Sequence, residues 1–218
     1  MSWEQELESD LKWREMELAA LKFAVTQSTP NTVPHKALLR AAWAMLYAHY
    51  EGFCLFALDL FLDEVKKSGV TRKQCMMPLT LFSLEETFRK FRKGTPPTLD
   101  FYTFCSITYP ALMSAAIDFE KDGDGDFVIA GRSNLYGTQL LEHCITMCLV
   151  ASHIDTNNKK LGLLVSRRNK IAHGEQEVVK DLAEYKQYED VTIEVMHDLA
   201  VAIVDALNGK TYLIPAYR

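Results

Sequence analysis

The sequence contains little glycine and proline, no excess of positive charge and no pattern of paired cysteines. Ten glycines and seven prolines in 218 residues favour helices over a turn-rich β architecture. The formal net charge of −5 excludes a protein that coats nucleic acid through bulk positive charge. If this chain binds RNA, a local basic patch must bind it.

The cysteines are five, an odd number, and lie mostly inside apolar runs, which argues against a disulfide framework and predicts a reducing, cytoplasmic environment. The first residues are acidic and polar, so we expect no signal peptide. The longest apolar run, residues 38–62, contains Arg40, His49, Glu51 and Asp59. Each ionisable group costs roughly 2.5–3.5 kcal/mol at a bilayer centre, so we expect a buried helix and no membrane span.

The apolar content of 48% is sufficient for a sizeable core, and no linker divides the chain, so we expect one helical domain over residues 1–218. The apolar periodicity predicts helices over residues 2–27, 34–67, 84–91, 134–152, 155 or 156 to 173, and 178–207. The middle third is less regular. Residues 94–97 end the short helix, helix and strand compete over 101–119, and 121–126 form an acidic loop or hairpin tip.

The segment from Arg168 to Glu175 reads Arg-Asn-Lys-Ile-Ala-His-Gly-Glu. Arg168 offers a planar fork of donors that fits a phosphate, and a histidine gives or takes a proton near neutral pH. Together they suffice to cleave a phosphodiester without a metal when the substrate carries its own nucleophile, as RNA does in its 2′-hydroxyl. A 2′,3′-cyclic phosphate and a 5′-hydroxyl are the expected products. Cations near a helix C-terminus are also ordinary dipole complements, so spacing alone leaves a structural role open.

The motif lies at the predicted end of a helix, with Gly174 as the C′ residue. Asn169 and His173 are four residues apart and share a face. Arg168 is about 140° from His173 on an ideal helix, so only its long side chain would bring the two together. Alternatively, the helix ends early and the motif bends.

Other polar residues are candidates for a site around this motif. Glu51 lies in an apolar run, where a carboxylate needs a partner: Arg168 or Arg167 would serve, or Glu51 reaches solvent or pairs with Arg40. The basic residues that adjoin the motif are candidates for binding RNA phosphates: Lys159, Lys160, Arg167 and Lys170.

Two metal-like patterns do not fit known sites. In the acidic loop, Phe127 and Ser133 occupy the positions where a calcium loop needs glycine and a bidentate glutamate. His143, Cys144, Cys148 and His153 have no usual zinc spacing. We expect no metal and no cofactor.

The pattern Arg168-Asn169-x-x-x-His173, followed by Gly174, resembles the signature of the HEPN superfamily of ribonucleases. Residues 46–53, Leu-Tyr-Ala-His-Tyr-Glu-Gly-Phe, are similar to the Tyr-Ala-His-x-Glu-Gly stretch of bacterial HEPN-like nucleases of the MAE type. Ser133-Asn134-Leu135 before a helix is also similar to that group. The similarity spans about residues 34–208 and is loose in the middle third.

The resemblance implies an all-α, HEPN-like up-and-down helical bundle with long central helices and a less regular middle insertion. It implies a metal-independent endoribonuclease that acts on RNA, often in a toxin–antitoxin or antiphage system. The expected partners are a second copy or a sister HEPN protein, paired so that two motifs face one cleft, and an antitoxin. Some HEPN proteins are instead inert modules that regulate a partner nuclease, which is the alternative function.

Carried over by position, the resemblance makes Arg168 and His173 the catalytic pair and Asn169 a polar helper. Glu51 with His49 is then a second polar cluster facing the motif. A lone histidine among aromatic residues is more often a satisfied core residue, so His49 has the weaker claim. Whether Glu51 faces His173 stays open in the sequence.

Overall fold

Helices form nearly all the regular structure of the computed structural model, which describes residues 2–93, 103–129 and 133–218. The α-helices of these ranges are, in chain order, α1 (Trp3–Gln27), α2 (Val33–Lys67), α3 (Met77–Phe82), α4 (Glu85–Arg92), α5 (Tyr109–Ser114), α6 (Gly137–Thr146), α7 (Ser152–Ala172) and α8 (Leu182–Gly209). A π-helical turn precedes α5, and short 3₁₀ turns occur at Arg72–Gln74 and Pro215–Tyr217. No strand occurs within the described ranges, and the predicted all-α class is confirmed.

The chain forms two compact units. The first comprises the described residues of Met1–Ala57, Ala130–Glu142 and Ala151–Ala202. The second comprises those of Leu58–Ile129, His143–Val150 and Ile203–Arg218. The expectation of a single domain over residues 1–218 stays a prediction.

The first unit is a bundle built around the N-terminal part of α2. This part of α2 contributes the large buried aromatic side chains Trp43, Tyr47, Tyr50 and Phe53, each at most 2% exposed. The Trp43 indole donates to the carbonyl of Leu164 in α7 at 3.2 Å. Burial of one such side chain stabilises a fold by roughly 1.5–3 kcal/mol, so α2 organises this core.

The apolar character of α2 reflects this burial. By length and composition α2 is apolar enough to cross a membrane, with a mean hydropathy of 1.2 in its most apolar window. However, 61% of that window is buried inside the protein, as is typical of a core helix.

In the second unit the irregular middle third is mainly helical. Helix prevails over residues 104–114, and Ala116 then pairs with Thr71 in an isolated antiparallel bridge. The predicted hairpin tip is confirmed: Lys121 and Phe127 form a bridge, and the Val128 N–H donates to the Glu120 carbonyl at 2.9 Å. Residues 94–97, predicted to end α4, lie outside the described residues.

Helix boundaries differ from the prediction around residue 150. Helix α6 ends at Thr146 rather than 152, and Cys148 adopts a left-handed backbone with φ of 60°. Helix α7 starts at Ser152, before the predicted Asp155 or Thr156. Asp198 of α8 caps the first turn: its carboxylate accepts a hydrogen bond from the His153 main-chain N–H at 2.8 Å. A cap supplied by another helix leaves no local signal, which explains the wrong boundary.

Candidate functional site

The motif helix α7 ends in a full Schellman turn. The Glu175 N–H donates to the Lys170 carbonyl at 2.9 Å, and the Gly174 N–H donates to the Ile171 carbonyl at 3.1 Å. Gly174 has φ of 80°, a conformation that favours glycine. Its predicted role at C′ is therefore confirmed. His173 is the C-cap residue, and its side chain is exposed.

Arg168, one turn earlier on α7, packs against α2. Its guanidinium carbon lies 3.8 Å from the centroid of the Tyr47 ring, a cation–π contact. Its Nη2 lies 3.8 Å from Oε2 of Glu51. Its Nε is buried and has no hydrogen-bond partner among the described residues. Arg168 is thus held by a ring and a carboxylate while one buried donor remains unused.

Glu51 is anchored to the backbone just before α6. Its Oε1 accepts from the Tyr47 hydroxyl and from the N–H groups of Asn134 at 2.8 Å and Leu135 at 3.2 Å. Asn134 has φ of 67°, which asparagine tolerates better than most residues. The two successive N–H groups therefore converge on one carboxylate oxygen. Glu51 is fixed in place by these donors and presents its other oxygen to Arg168.

The Tyr47 hydroxyl has a second partner. It accepts from the Leu135 N–H at 3.1 Å while it donates to Glu51. Burial raises the pKa of Tyr47, and the hydrogen bond to Glu51 and its negative charge raise it further, against the opposing effect of Arg168. Tyr47 therefore stays protonated at physiological pH and works as a donor to Glu51.

The structure brings Glu51, but not His49, to the motif helix. Positions 49 and 51 are about 200° apart on an ideal helix, so they face different neighbours. His49 is 2% exposed, lies edge-on to Trp13 of α1 and has its Nε2 2.8 Å from Glu17 Oε2. Burial lowers the pKa of His49, against the opposing charge of Glu17. His49 thus belongs to the packing of α2 on α1.

The basic residues around the motif divide into two groups. Arg167 is engaged within the fold: it donates to Glu184 at 2.7 Å, lies 3.3 Å from Glu177 and packs over Trp43. Lys170 pairs with Glu177 at 3.2 Å. Lys159 and Lys160 are exposed, and no ion pair is seen for either in the described structure. The two exposed lysines keep their charge available, whereas Arg167 is neutralised.

Arg168 and His173 are not in contact within one chain. No hydrogen bond or ion pair links them in the part of the chain that the structure describes, as the 140° helical offset predicts. Asn169, on the same face as His173, is half-buried, and its side chain has no hydrogen bond to a described residue. Within the same ranges no three His, Cys, Asp or Glu residues form a group able to hold a metal ion.

Three residues of this network have no role predicted from the sequence: Tyr47, Asn134 and Leu135. For Tyr47 a signal exists: Tyr47 and Glu51 are four residues apart, so they share a helix face. The contribution of residues 134 and 135 comes from main-chain N–H groups. No side-chain pattern reveals such donors.

Comparison with known proteins shows the family of the chain. The sequence matches the profile of the MAE_28990-like HEPN family over residues 3–212. No curated protein and no solved structure matches it. HEPN modules are generally nuclease-associated, and the family is broadly associated with ribonuclease activity. Because the match extends over almost the entire sequence, the protein belongs to the MAE_28990-like HEPN family.

Proposed function

We propose that the protein is a metal-independent endoribonuclease. The 2′-hydroxyl of RNA attacks the adjacent phosphate, and the products carry a 2′,3′-cyclic phosphate and a 5′-hydroxyl. The observation that carries this proposal is the state of Arg168, which Tyr47 and Glu51 position while its side chain stays 23% exposed. A phosphate oxygen can therefore reach the guanidinium through its exposed part, although its Nε is buried.

Arg168 retains capacity to bind a phosphate because its ion pair is loose. Three donors occupy one oxygen of Glu51, and the other oxygen meets Arg168 at a single distance of 3.8 Å rather than in a bidentate pair. A guanidinium carries five N–H donors in a rigid fork, so several remain for phosphate oxygens. Donors positioned in advance stabilise the charge that grows on the phosphate as the reaction proceeds.

His173 is the acid or base of this mechanism. Its imidazole is exposed at the end of α7, where a substrate can reach it. General acid–base catalysis contributes typically ~10²–10⁴-fold. Attack by the 2′-hydroxyl needs a base, and departure of the 5′-oxygen needs an acid, but each chain carries one His173. A paired second copy, or a sister HEPN protein, supplies the other group.

The proposal places this activity in the cytoplasm, in a toxin–antitoxin or antiphage system with an antitoxin as a partner. A second candidate function is an inert HEPN module that binds and regulates a partner nuclease. Two cations beside the motif favour this second candidate. Arg167 and Lys170 form ion pairs with Glu177 and Glu184, so their charges are already compensated and are less available to RNA phosphates.

The test is cleavage of a mixed RNA substrate in the presence of a chelator by the wild type, His173→Ala and His153→Ala. His153 is a matched control because it is an exposed histidine on the same helix. We expect the wild type and His153→Ala to cleave and to leave cyclic phosphate ends, and His173→Ala to be at least about 100-fold slower. RNA left intact by the folded wild type at every pH, or equal cleavage by His173→Ala, contradicts the proposal.

A further inference from the structure

A groove lies beside the motif, between the start of α2 and the segment that follows α7. Its volume is about 460 Å³, within the roughly 300–1,000 Å³ typical of small-molecule sites. Apolar side chains form much of its lining, and two cations lie among them: Val33, Ala37, Val178, Val179, Lys36 and Arg40. Val33 is 82% exposed and Val178 is 66% exposed, an unusual degree for valine.

The cations of the groove are free to bind a ligand. Neither Lys36 nor Arg40 has a side-chain ion pair or hydrogen bond within the described ranges, although Arg40 is half-buried. The acidic side chain of the lining, Glu177, is already paired with Arg167 at 3.3 Å and Lys170 at 3.2 Å. The groove therefore favours a ligand with an anionic group and an apolar body.

The groove lies close to the motif in the chain and is tied to the motif helix by ion pairs. Gln176, which also lines it, follows His173 by three residues, so their Cα atoms are at most about 11 Å apart. The same Glu177 ion pairs fix the wall of the groove to helix α7. A ligand in the groove is thus held at a defined place relative to His173.

We propose that the groove binds one nucleotide of the RNA strand, adjacent to the phosphate on which His173 acts. A phosphate of the strand contacts Lys36 and Arg40, and the base or ribose packs against the valines. This inference rests on the proposed function and names where its substrate is held. The described lining has no aromatic side chain for stacking, so we expect little preference among bases.

The dimensions of the groove favour a nucleotide over a partner helix. A bound amphipathic helix needs a long apolar groove that accepts anchors at positions i, i+3, i+4 and i+7. Here the apolar lining is limited to a few small side chains, and two unpaired cations lie among them. An acidic protein segment is the competing occupant, and the experiment below distinguishes the two.

The test measures the affinity of the full-length His173→Ala protein, which binds without cutting, for a fluorescent single-stranded RNA 12-mer of mixed sequence. In that background, Lys36→Gln with Arg40→Gln removes the two cations, and Ala37→Tyr fills the groove without changing charge. Lys186→Gln is the control: it removes an exposed cation that is not part of the lining. Thermal unfolding verifies that each variant is folded.

We expect the double variant to raise Kd by about tenfold or more and to reduce the slope of log K against log salt by about 1.4, since each lost phosphate contact on a single strand removes about 0.7. Ala37→Tyr raises Kd with the salt slope unchanged, and Lys186→Gln changes neither. An RNA affinity unaffected by all three variants overturns the proposal, as does an absence of RNA binding. If the groove variants instead weaken the binding of an Asp/Glu-rich peptide and leave RNA affinity unchanged, the groove binds a protein partner.

Failure of this inference and failure of the proposed function are distinguishable. Cleavage that requires His173 but has the same kcat/KM with and without the groove substitutions rejects the groove and keeps the nuclease. RNA binding that depends on the groove in a protein that never cleaves RNA keeps the groove and rejects the nuclease.

Discussion

Tyr47 supports Arg168 in two ways at once. Its ring lies under the guanidinium, and its hydroxyl links the Leu135 N–H to the carboxylate of Glu51. The pKa of Tyr47 lies above its ordinary value of 10.0, so this hydroxyl keeps its proton and remains a donor throughout the physiological pH range. The position of Arg168 therefore depends on a residue that does not touch substrate in the proposed mechanism.

Tyr47→Phe should lower the free energy of unfolding by about 1 kcal/mol, because Glu51 and the Leu135 N–H each lose a hydrogen-bond partner while the ring remains. Chemical denaturation measures this change. Tyr185→Phe is the control: that hydroxyl is buried without a hydrogen-bond partner among the described residues. Its removal should be neutral or stabilising. Equal destabilisation by both substitutions would show that the Tyr47 network contributes nothing.

The sequence indicates a role for Glu51 because a carboxylate in an apolar run needs a partner. The partner turned out to be Arg168, together with main-chain donors at residues 134 and 135. Helix geometry places His49 and Glu51 about 200° apart, which predicts that they face different neighbours. The need of a buried carboxylate for a partner does not by itself show this difference. The side-chain partner of Glu51 was thus among the predicted candidates, whereas the main-chain donors were not, because no side-chain pattern reveals them.

Among the helices, the start of α6 approaches α7 closely at Gly137. A Cβ atom at this position would lie 2.8 Å from Asn158 Oδ1, 3.0 Å from Leu161 Cδ1 and 3.3 Å from Asn158 Cα. The last of these is backbone and cannot rotate away. Glycine at position 137 therefore permits residues 134 and 135 to reach Glu51 while α6 packs against the motif helix.

Gly137→Ala should destabilise the protein by about 1–3 kcal/mol, since overpacking at this contact outweighs the gain in helix propensity. Gly162→Ala is the matched control on α7, because no atom lies within 4 Å of its added Cβ. That substitution should stabilise by roughly 0.5–1 kcal/mol. Thermal unfolding of both variants provides the measurement, and a stabilising Gly137→Ala would refute the close-packing account.

Helices α1 and α2 were predictable to within a residue or two because their periodicity is long and their breaks are local. The start of α7 was not, since its cap comes from Asp198 of another helix. The close contact at Gly137 also depends on tertiary packing, and no propensity of the isolated segment predicts it.

For the molecule as a whole, pairing is the central prediction. One chain offers one Arg168 and one His173 that do not meet, so the proposed site combines groups from two chains. Mixing equal amounts of wild-type and His173→Ala protein should then about halve the cleavage given by the same wild type alone, because about half of the wild-type chains enter mixed dimers that hold only one of the two histidines.

The His173→Ala protein alone should be inactive, and a mixture of wild type with Lys186→Gln protein is the control, which should show no loss. If His173→Ala protein leaves cleavage by the wild type unchanged while the subunits exchange, one chain supplies both proton-transfer groups.

The support of Arg168 also has a consequence for the order in which the chain is made. Glu51 and Asn134 are 83 positions apart, and Trp43 and Leu164 are 121 apart. Contacts of this range form only after the intervening chain exists and its loop has closed. A ribosome that has not passed residue 173 of 218 therefore carries a chain with no assembled site. Under the proposed function, translation itself thus delays the moment at which the protein would be able to attack the RNA that encodes it.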